Sequence, residues 1–464
     1  MVTPPFSTGG AEEQATAQQA AGYGLRQNAL SPLEVLAQSV AAIAPSTIPV
    51  FAVPLVFALA GNGAWLAYAI AMAAMTLVAL CIAVFARDSS SPGSLYAYVR
   101  DTLPPAFAVV VAWGLLFAYV TTGSSGMGAI VSFVAGWKLQ ASPALVPSAI
   151  ALAAFAIVYH EVKISAEIML WVEAVSVSLI SIVILITLWK RGLSIDPAQL
   201  HLTGVTLSGV RLGVVLAIFG FAGFESAAAL GSEARDPLRN IPKAILRSAL
   251  VAGLFFVICC YAETAGFHSS SRNLGETTTP LRVLASDGGI PLFGVLIDIG
   301  VFVALFSGII ACIIASARIL LVMAHHGLLP RWLTKTHARN ETPVAAAVIV
   351  ILAMDTPVTA LALRGVAGAE LYGWLATISV FGFLTAYGVV AVALPFHLHQ
   401  RGRLRAGGIT LSLCATLIIL AAVLGSVYPA PPAPYSYLPL IYACYLAAGM
   451  VWYTLVHGKT SRLS

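Results

Sequence analysis

Phe219-Gly220-Phe221-Ala222-Gly223-Phe224-Glu225 interrupts an apolar run that is otherwise long enough to cross a membrane. Two glycines weaken helix propensity there and a carboxylate follows, so the predicted helix unwinds near its middle. A second interruption, Ile43-Ala44-Pro45-Ser46-Thr47-Ile48-Pro49, places two prolines near the centre of the first apolar run. Each proline removes a backbone donor. Backbone that leaves the helix at membrane depth is tolerated only where protein or a cavity satisfies it. The two breaks lie five spans apart, at matching positions of two five-span halves, and such a pair is the best sequence pointer to a transporter's binding site.

Composition supports the same reading. Hydrophobic residues make up 59% of 464 and charged residues only 9%, against about 25% charged in a soluble domain. Too few charges exist to cover a water-facing surface, and lipid takes the place of water around the fold. The net charge of +5 therefore points to membrane orientation and not to a nucleic-acid partner. All six cysteines (Cys81, Cys259, Cys260, Cys312, Cys414, Cys444) fall inside apolar runs without metal-ligand spacing, and read as small packing residues. The nine histidines fall in polar connections or at segment ends, which leaves no histidine proton relay inside the membrane.

Twelve spans are predicted, near 33–60, 63–86, 104–136, 143–159, 164–189, 208–233, 241–266, 291–323, 343–363, 371–396, 408–427 and 436–457. Residues 1–30 are polar and Ala-, Gln- and Gly-rich, a flexible tail and not a signal peptide. Ser31-Pro32-Leu33-Glu34 is a capping box with proline at the first helical position. With the N-terminus inside, the outer Lys and Arg residues are Lys138, Lys190, Arg191, Arg211, Arg272, Arg282 and Arg364; the rest of the 24 lie on the cytoplasmic side. This is the positive-inside bias, and it places both termini in the cytoplasm and the chain in the cell membrane. Residues 88–103 form a polar connection inside and 268–290 one outside, as an inverted repeat requires. The expected organisation is a cytoplasmic tail (1–30), a five-helix repeat (31–189), its inverted partner (208–397), and helices 11 and 12 with a short tail (406–464).

Four motifs carry a family resemblance. They are Ser91-Pro92-Gly93-Ser94-Leu95-Tyr96-Ala97-Tyr98; Gly220-Phe221-Ala222-Gly223-Phe224-Glu225-Ser226-Ala227; Glu233-Ala234-Arg235-Asp236-Pro237 with Asn240-Ile241-Pro242-Lys243-Ala244-Ile245; and Ala315-Ser316-Ala317-Arg318 through Gly327-Leu328-Leu329-Pro330 to Thr342-Pro343-Val344. In this order they resemble the amino acid–polyamine–organocation (APC) superfamily of permeases. The resemblance implies an all-α polytopic membrane protein of about twelve helices, a LeuT-type 5+5 inverted repeat plus two extra helices. It also implies secondary transport of an amino acid, proton- or sodium-coupled or by exchange. Three positions depart from the pattern. Ala44-Pro45-Ser46 stands where the family has a glycine-rich run, and His325-His326 where it has Arg-Asp. Ser176 falls where several sodium-independent members carry a lysine.

An amino acid zwitterion needs an anion site beside a cation site. A helix resuming after a break offers free N–H groups, expected from Ser46 and Thr47 in the segment Ile43, Ala44, Pro45, Ser46, Thr47. A half-helix that ends offers carbonyls, expected from Phe219, Gly220 and Ala222, with Gly223 allowing close approach. By resemblance, Phe219 is the aromatic gate over the substrate. Thr122 and Ser125, in a run of small residues of span 3, are expected on the pathway wall or in close helix packing. Glu225, or Glu173 near the middle of span 5, is expected to take up the coupling proton or to tie helices together; Asp298 is a third intramembrane acid. A sodium route stays open through Ala44, Ser307 and Ser316. No other cofactor is expected.

Two rival functions remain in view. A polyamine or other organic amine lacks the carboxylate and would need acidic side chains in place of the span 1 amides. A membrane enzyme would need a nucleophile–base set or metal ligands, and the sequence has no G-x-S-x-G, no H-E-x-x-H and no P-loop. The reading is a transporter of a small molecule and not an enzyme.

Overall fold

The computed structural model describes residues 23, 25, 27–137, 142, 145–160, 162–337 and 342–460, with the backbone alone at 160, 162–169 and 457–460. Residues 1–22 of the expected tail, Lys138 and the Lys163 side chain lie outside this description. The chain is a bundle of helices, with no strand among the described residues.

The first apolar stretch runs from Pro32 to Ala86, 55 residues, or about 80 Å at 1.5 Å per residue, far longer than one crossing. It is divided twice. Helix α1 (Pro32–Ile43) starts at the predicted capping box, where the Ser31 N–H donates to Glu34 at 2.6 Å. It stops at Ala44, whose φ of +46° is left-handed, and the chain resumes through a π-helical turn (Ile48–Ala52) into α2 (Val53–Ala60). Gly61, at φ +54°, then turns the chain into α3 (Ala64–Ala86).

The remaining elements are α4 (Ser94–Arg100), α5 (Pro105–Gly136), α6 (Leu145–His160), α7 (Val162–Lys190), α8 (Leu207–Phe219), α9 (Pro237–His268), α10 (Pro280–Asp287), α11 (Pro291–His325), α12 (Val344–Leu363), α13 (Gly368–Gln400), α14 (Ala406–Val427) and α15 (Leu438–Thr460). All twelve expected spans are helical. Span 6 is the shortest as regular helix, because α8 ends at Phe219 and only a 3-10 turn (Ser226–Leu230) follows.

Helix contacts keep their pattern when spans 1–5 and 6–10 are exchanged. Span 3 packs on span 10 as span 8 packs on span 5, and span 1 on span 7 as span 6 on span 2. The closest of these seams, between α5 and α13, is lined with glycine. A Cβ on Gly382 would lie 2.4 Å from the Gly114 carbonyl, and one on Gly368 would lie 2.6 Å from the Gly128 carbonyl. Small residues let helix backbones meet where no water is present to drive association. Large apolar side chains of α14 and α15, such as Leu413, Leu417, Leu424 and Leu455, face outward toward lipid.

The connection 88–103 closes one end of the bundle. His326, just past α11, accepts or donates to Tyr96 Oη at 2.8 Å and Tyr23 Oη at 3.3 Å, and contacts the Arg100 guanidinium. Burial, with the Arg100 and His325 charges, pushes the His326 imidazole down to about 4. A histidine with a depressed folded value stabilises the closed form at neutral pH. That stability is lost as pH falls from the unfolded value near 6.5 toward about 4. Hydrogen exchange of residues 94–100 should therefore stay slow at neutral pH and accelerate across that window, and His326→Gln should remove the acid-dependent step.

Candidate functional site

The two breaks meet. Ser39 Oγ of α1 donates to the Phe224 carbonyl at 2.7 Å, and Ser226 Oγ donates to the Gln38 carbonyl at 3.2 Å. Gly223 has φ +90° and packs directly on Ala42. Without a side chain it holds a conformation that L residues rarely adopt, and it brings the second break against the first.

Beside this junction lies a cavity of about 40 Å³. Ile43, Ala44, Thr47 and Ile48 line it from the first break, and Phe219 and Ala222 from the second. Thr122 and Ser125 of α5 form one wall, and Leu305, Gly308 and Ile309 of α11 form another. The Thr122 hydroxyl is buried without a partner, whereas Ser125 Oγ donates to the Tyr372 carbonyl at 3.3 Å. The Phe219 ring meets Tyr372 edge-on, with centroids 5.8 Å apart, and Tyr372 also packs on Phe51. No charged side chain borders the cavity among the described residues.

The second break offers acceptors. Its chain descends through i→i+3 turns, and the Phe219 carbonyl is used by the Ala222 N–H at 2.8 Å. The carbonyls of Gly220 and Ala222 accept no hydrogen bond from the described residues. These are the unsatisfied acceptors that a half-helix end presents.

The first break differs from expectation. The Ser46 N–H donates to Glu173 Oε1 at 2.5 Å and Ser46 Oγ to Glu173 Oε2 at 3.0 Å. The Thr47 N–H and hydroxyl both bond the Ala44 carbonyl, at 2.9 and 2.7 Å. Both amides assigned from the sequence to a substrate carboxylate thus have protein partners. Pro45 and Glu173 face a separate apolar cleft between α1, α7 and α9. The physical reason is local: an unwound amide buried at membrane depth needs an acceptor, and α7 supplies a carboxylate.

Glu225 is also tied into the protein, its oxygens accepting from Tyr119 at 2.6 Å and Tyr387 at 2.5 Å. It joins α5, the second break and α13 without lining the cavity. Asp298 pairs with Arg282 of α10. Of the three groups named for sodium, the two serines stand apart from each other. Ala44's carbonyl already takes two donors. Ser307 and Ser316 stand nine residues apart, about 14 Å along α11. Neither lines the cavity. Tyr372, Gly308 and Ile309 were missed from the sequence; nothing in the sequence set Tyr372 apart from Tyr387, Thr377 or Ser379 of the same span.

The sequence profile of the family described as amino acid permease matches residues 34–456. This chain belongs to the amino acid permease family. Among its relatives is the methylthioribose transporter of Bacillus subtilis, 24% identical over 426 residues, covering 87% of this permease and 88% of that protein. The branched-chain amino acid permease BcaP of the same organism is 27% identical over 310 residues, covering 62% and 65%. The crystal structure of MhsT in complex with L-phenylalanine superposes with a TM-score of 0.57 at 16% identity, over 86% of this permease and 99% of that chain. At that identity the likeness concerns the fold alone, and it is the LeuT-type fold that the family resemblance implied. The permease is a multi-pass membrane transporter and not an enzyme.

Proposed function

We propose that this permease carries a free amino acid with an apolar side chain across the cell membrane by alternating access. The observation behind this reading is the cavity lined from both breaks and bordered by no charged side chain. The substrate ammonium binds the Gly220 and Ala222 carbonyls, where the half-helix ends negative. The carboxylate lies toward Thr47 and Ile48, at the positive end of the half-helix that resumes there, with the Thr122 hydroxyl as a free donor. Leu305, Ile309 and Phe219 enclose the side chain, and Phe219 with Tyr372 gates it. A name such as branched-chain amino acid permease among the relatives agrees with an apolar cargo. Both termini face the cytoplasm, on the positive-inside bias.

The coupling ion is a proton or sodium. Within this reading Glu173 and Glu225 are candidates for the proton, and each is held by protein donors. A second reading, an organic amine without a carboxyl group, gains support from the engagement of the Ser46 amide by Glu173.

Thermal shift of the purified protein against free amino acids, carboxyl-blocked amino acids and polyamines, at acid and neutral pH with and without sodium, separates the two. Stabilisation by apolar amino acids that vanishes when the carboxyl is blocked is the expected result. A response to carboxyl-free amines alone would transfer the assignment to them.

A further inference from the structure

Glu263 lies in α9, five residues before the helix ends, and is fully buried. Neither of its oxygens has a hydrogen-bond partner. Tyr68 of α3 and Tyr372 of α13 are within electrostatic reach of one another, and Tyr68 is within reach of Glu263. Both tyrosine hydroxyls are likewise buried and unpaired. Buried polar side chains are nearly always hydrogen-bonded, so this run of exceptions from Glu263 through Tyr68 to Tyr372, with the Thr264 hydroxyl beside it, calls for an explanation. Glu173 and Glu225 offer a contrast: donors already serve both oxygens of each.

We propose that Glu263 is the proton-carrying carboxyl of the transport cycle, joined to the central cavity through the Tyr68 and Tyr372 hydroxyls. The proposal rests on the transport reading above and supplies its coupling ion. An ionised carboxylate with neither donor nor counter-charge is not sustained in an apolar interior, so Glu263 holds its proton in this conformation. The groups facing it bring no positive charge. Cys259 and Cys260 stand one turn back on its own helix and Tyr68 comes from α3, with Tyr372 of α13 beyond Tyr68. Thr187 of α7 and Leu284 of α10 pack beside Gly266. Arg191 donates to the Ala265 carbonyl at 2.6 Å and to Ser269 Oγ at 3.3 Å, at the end of α9, and His268 pairs with Asp196.

Tyr372 borders both places. It lines the cavity and carries the Phe219 ring on one face of its contacts. Substrate seated under Phe219 moves Tyr372, and the shift reaches Tyr68, whose hydroxyl then donates to Glu263 or withdraws from it. With donors in place the carboxyl O–H bond breaks and the proton leaves to water on the side then open. On the return, the carboxylate takes a proton from water on the opposite side. One proton crosses and nothing is oxidised or reduced.

Infrared titration of the full chain in lipid tests the assignment without any substrate. A protonated-carboxyl band should persist at neutral pH and be absent from Glu263→Gln, while Tyr68→Phe should shift the pH at which it titrates. A spectrum unchanged by Glu263→Gln overturns the proposal. In proteoliposomes, Glu263→Gln should lose accumulation driven by an inward proton gradient, with Glu263→Asp restoring part of it. Gradient-driven accumulation that survives Glu263→Gln also overturns it. If no amino acid is exchanged even by the unaltered protein, the transport reading fails on its own, and the infrared band still decides the protonation of Glu263.

Discussion

Glu233→Ala is expected to destabilise the permease by about 3–5 kcal/mol, the usual cost of removing one member of a buried ion pair. Arg318 is 2% exposed and makes two bonds to the Glu233 carboxylate, Nε to Oε2 at 2.7 Å and Nη2 to Oε1 at 2.8 Å. Its remaining nitrogen reaches only the Ile314 carbonyl, at 3.2 Å. Without Glu233 the guanidinium stays buried and uncompensated. Glu233 also holds the entry to the bundle, because its carbonyl accepts from the Leu30 N–H at 2.8 Å just before α1. A large fall in melting temperature should be measured in detergent for Glu233→Ala. Joining it to Arg318→Met should recover much of the loss, since no charge is then stranded. Equal instability of the single and double variants would show that the side chain's packing, and not the ion pair, matters there.

Gly223→Ala should abolish substrate-induced stabilisation and transport together. The added methyl would sit 2.7 Å from Ala42 Cβ and 3.2 Å from the Ala42 carbonyl carbon. Overpacking of that kind costs about 1–3 kcal/mol, and the left-handed backbone adds about 1–2 kcal/mol for an L residue. The two breaks are then pushed apart at the junction beside the cavity. Pairing it with Ala42→Gly relieves the collision but not the backbone strain, so uptake by the double variant should return only in part. Full activity of Gly223→Ala would mean that the observed junction is not the working arrangement.

Spans, breaks and caps were legible in the sequence because each depends on residues close together. Pro45, Gly220 and Gly223 mark where a helix cannot continue, Pro49 falls in the first turn of the helix that resumes, and Ser31 with Glu34 marks where one begins. The partners of the broken backbone were not legible. Ser46 is bonded by a residue 127 positions away, and Ser39 caps a carbonyl 185 positions on. Composition gives no hint of which acceptor an unwound amide will choose. Tyr372 joined the cavity for a similar reason, since it stands on a span that carries no break of its own. Glu263 was overlooked although it was visible as an acid within an apolar run. What distinguishes it from Glu225 is the lack of a donor, and that is a property of three helices packed together.

The glycine seam between α5 and α13 has a mechanical consequence. Gly114 and Gly128 lie fourteen residues apart, so backbone meets backbone at both ends of about 21 Å of helix. Two rods touching at such points have no pliable layer between them, and neither can slide without lifting off the other. They act as a single beam. Any movement of this bundle must then turn about joints elsewhere, and the chain has such joints at Ala44–Ser46 and Gly220–Glu225. Each short half-helix becomes a lever with its fulcrum at its break, and both fulcra border the same cavity, so a small push there moves the far ends most.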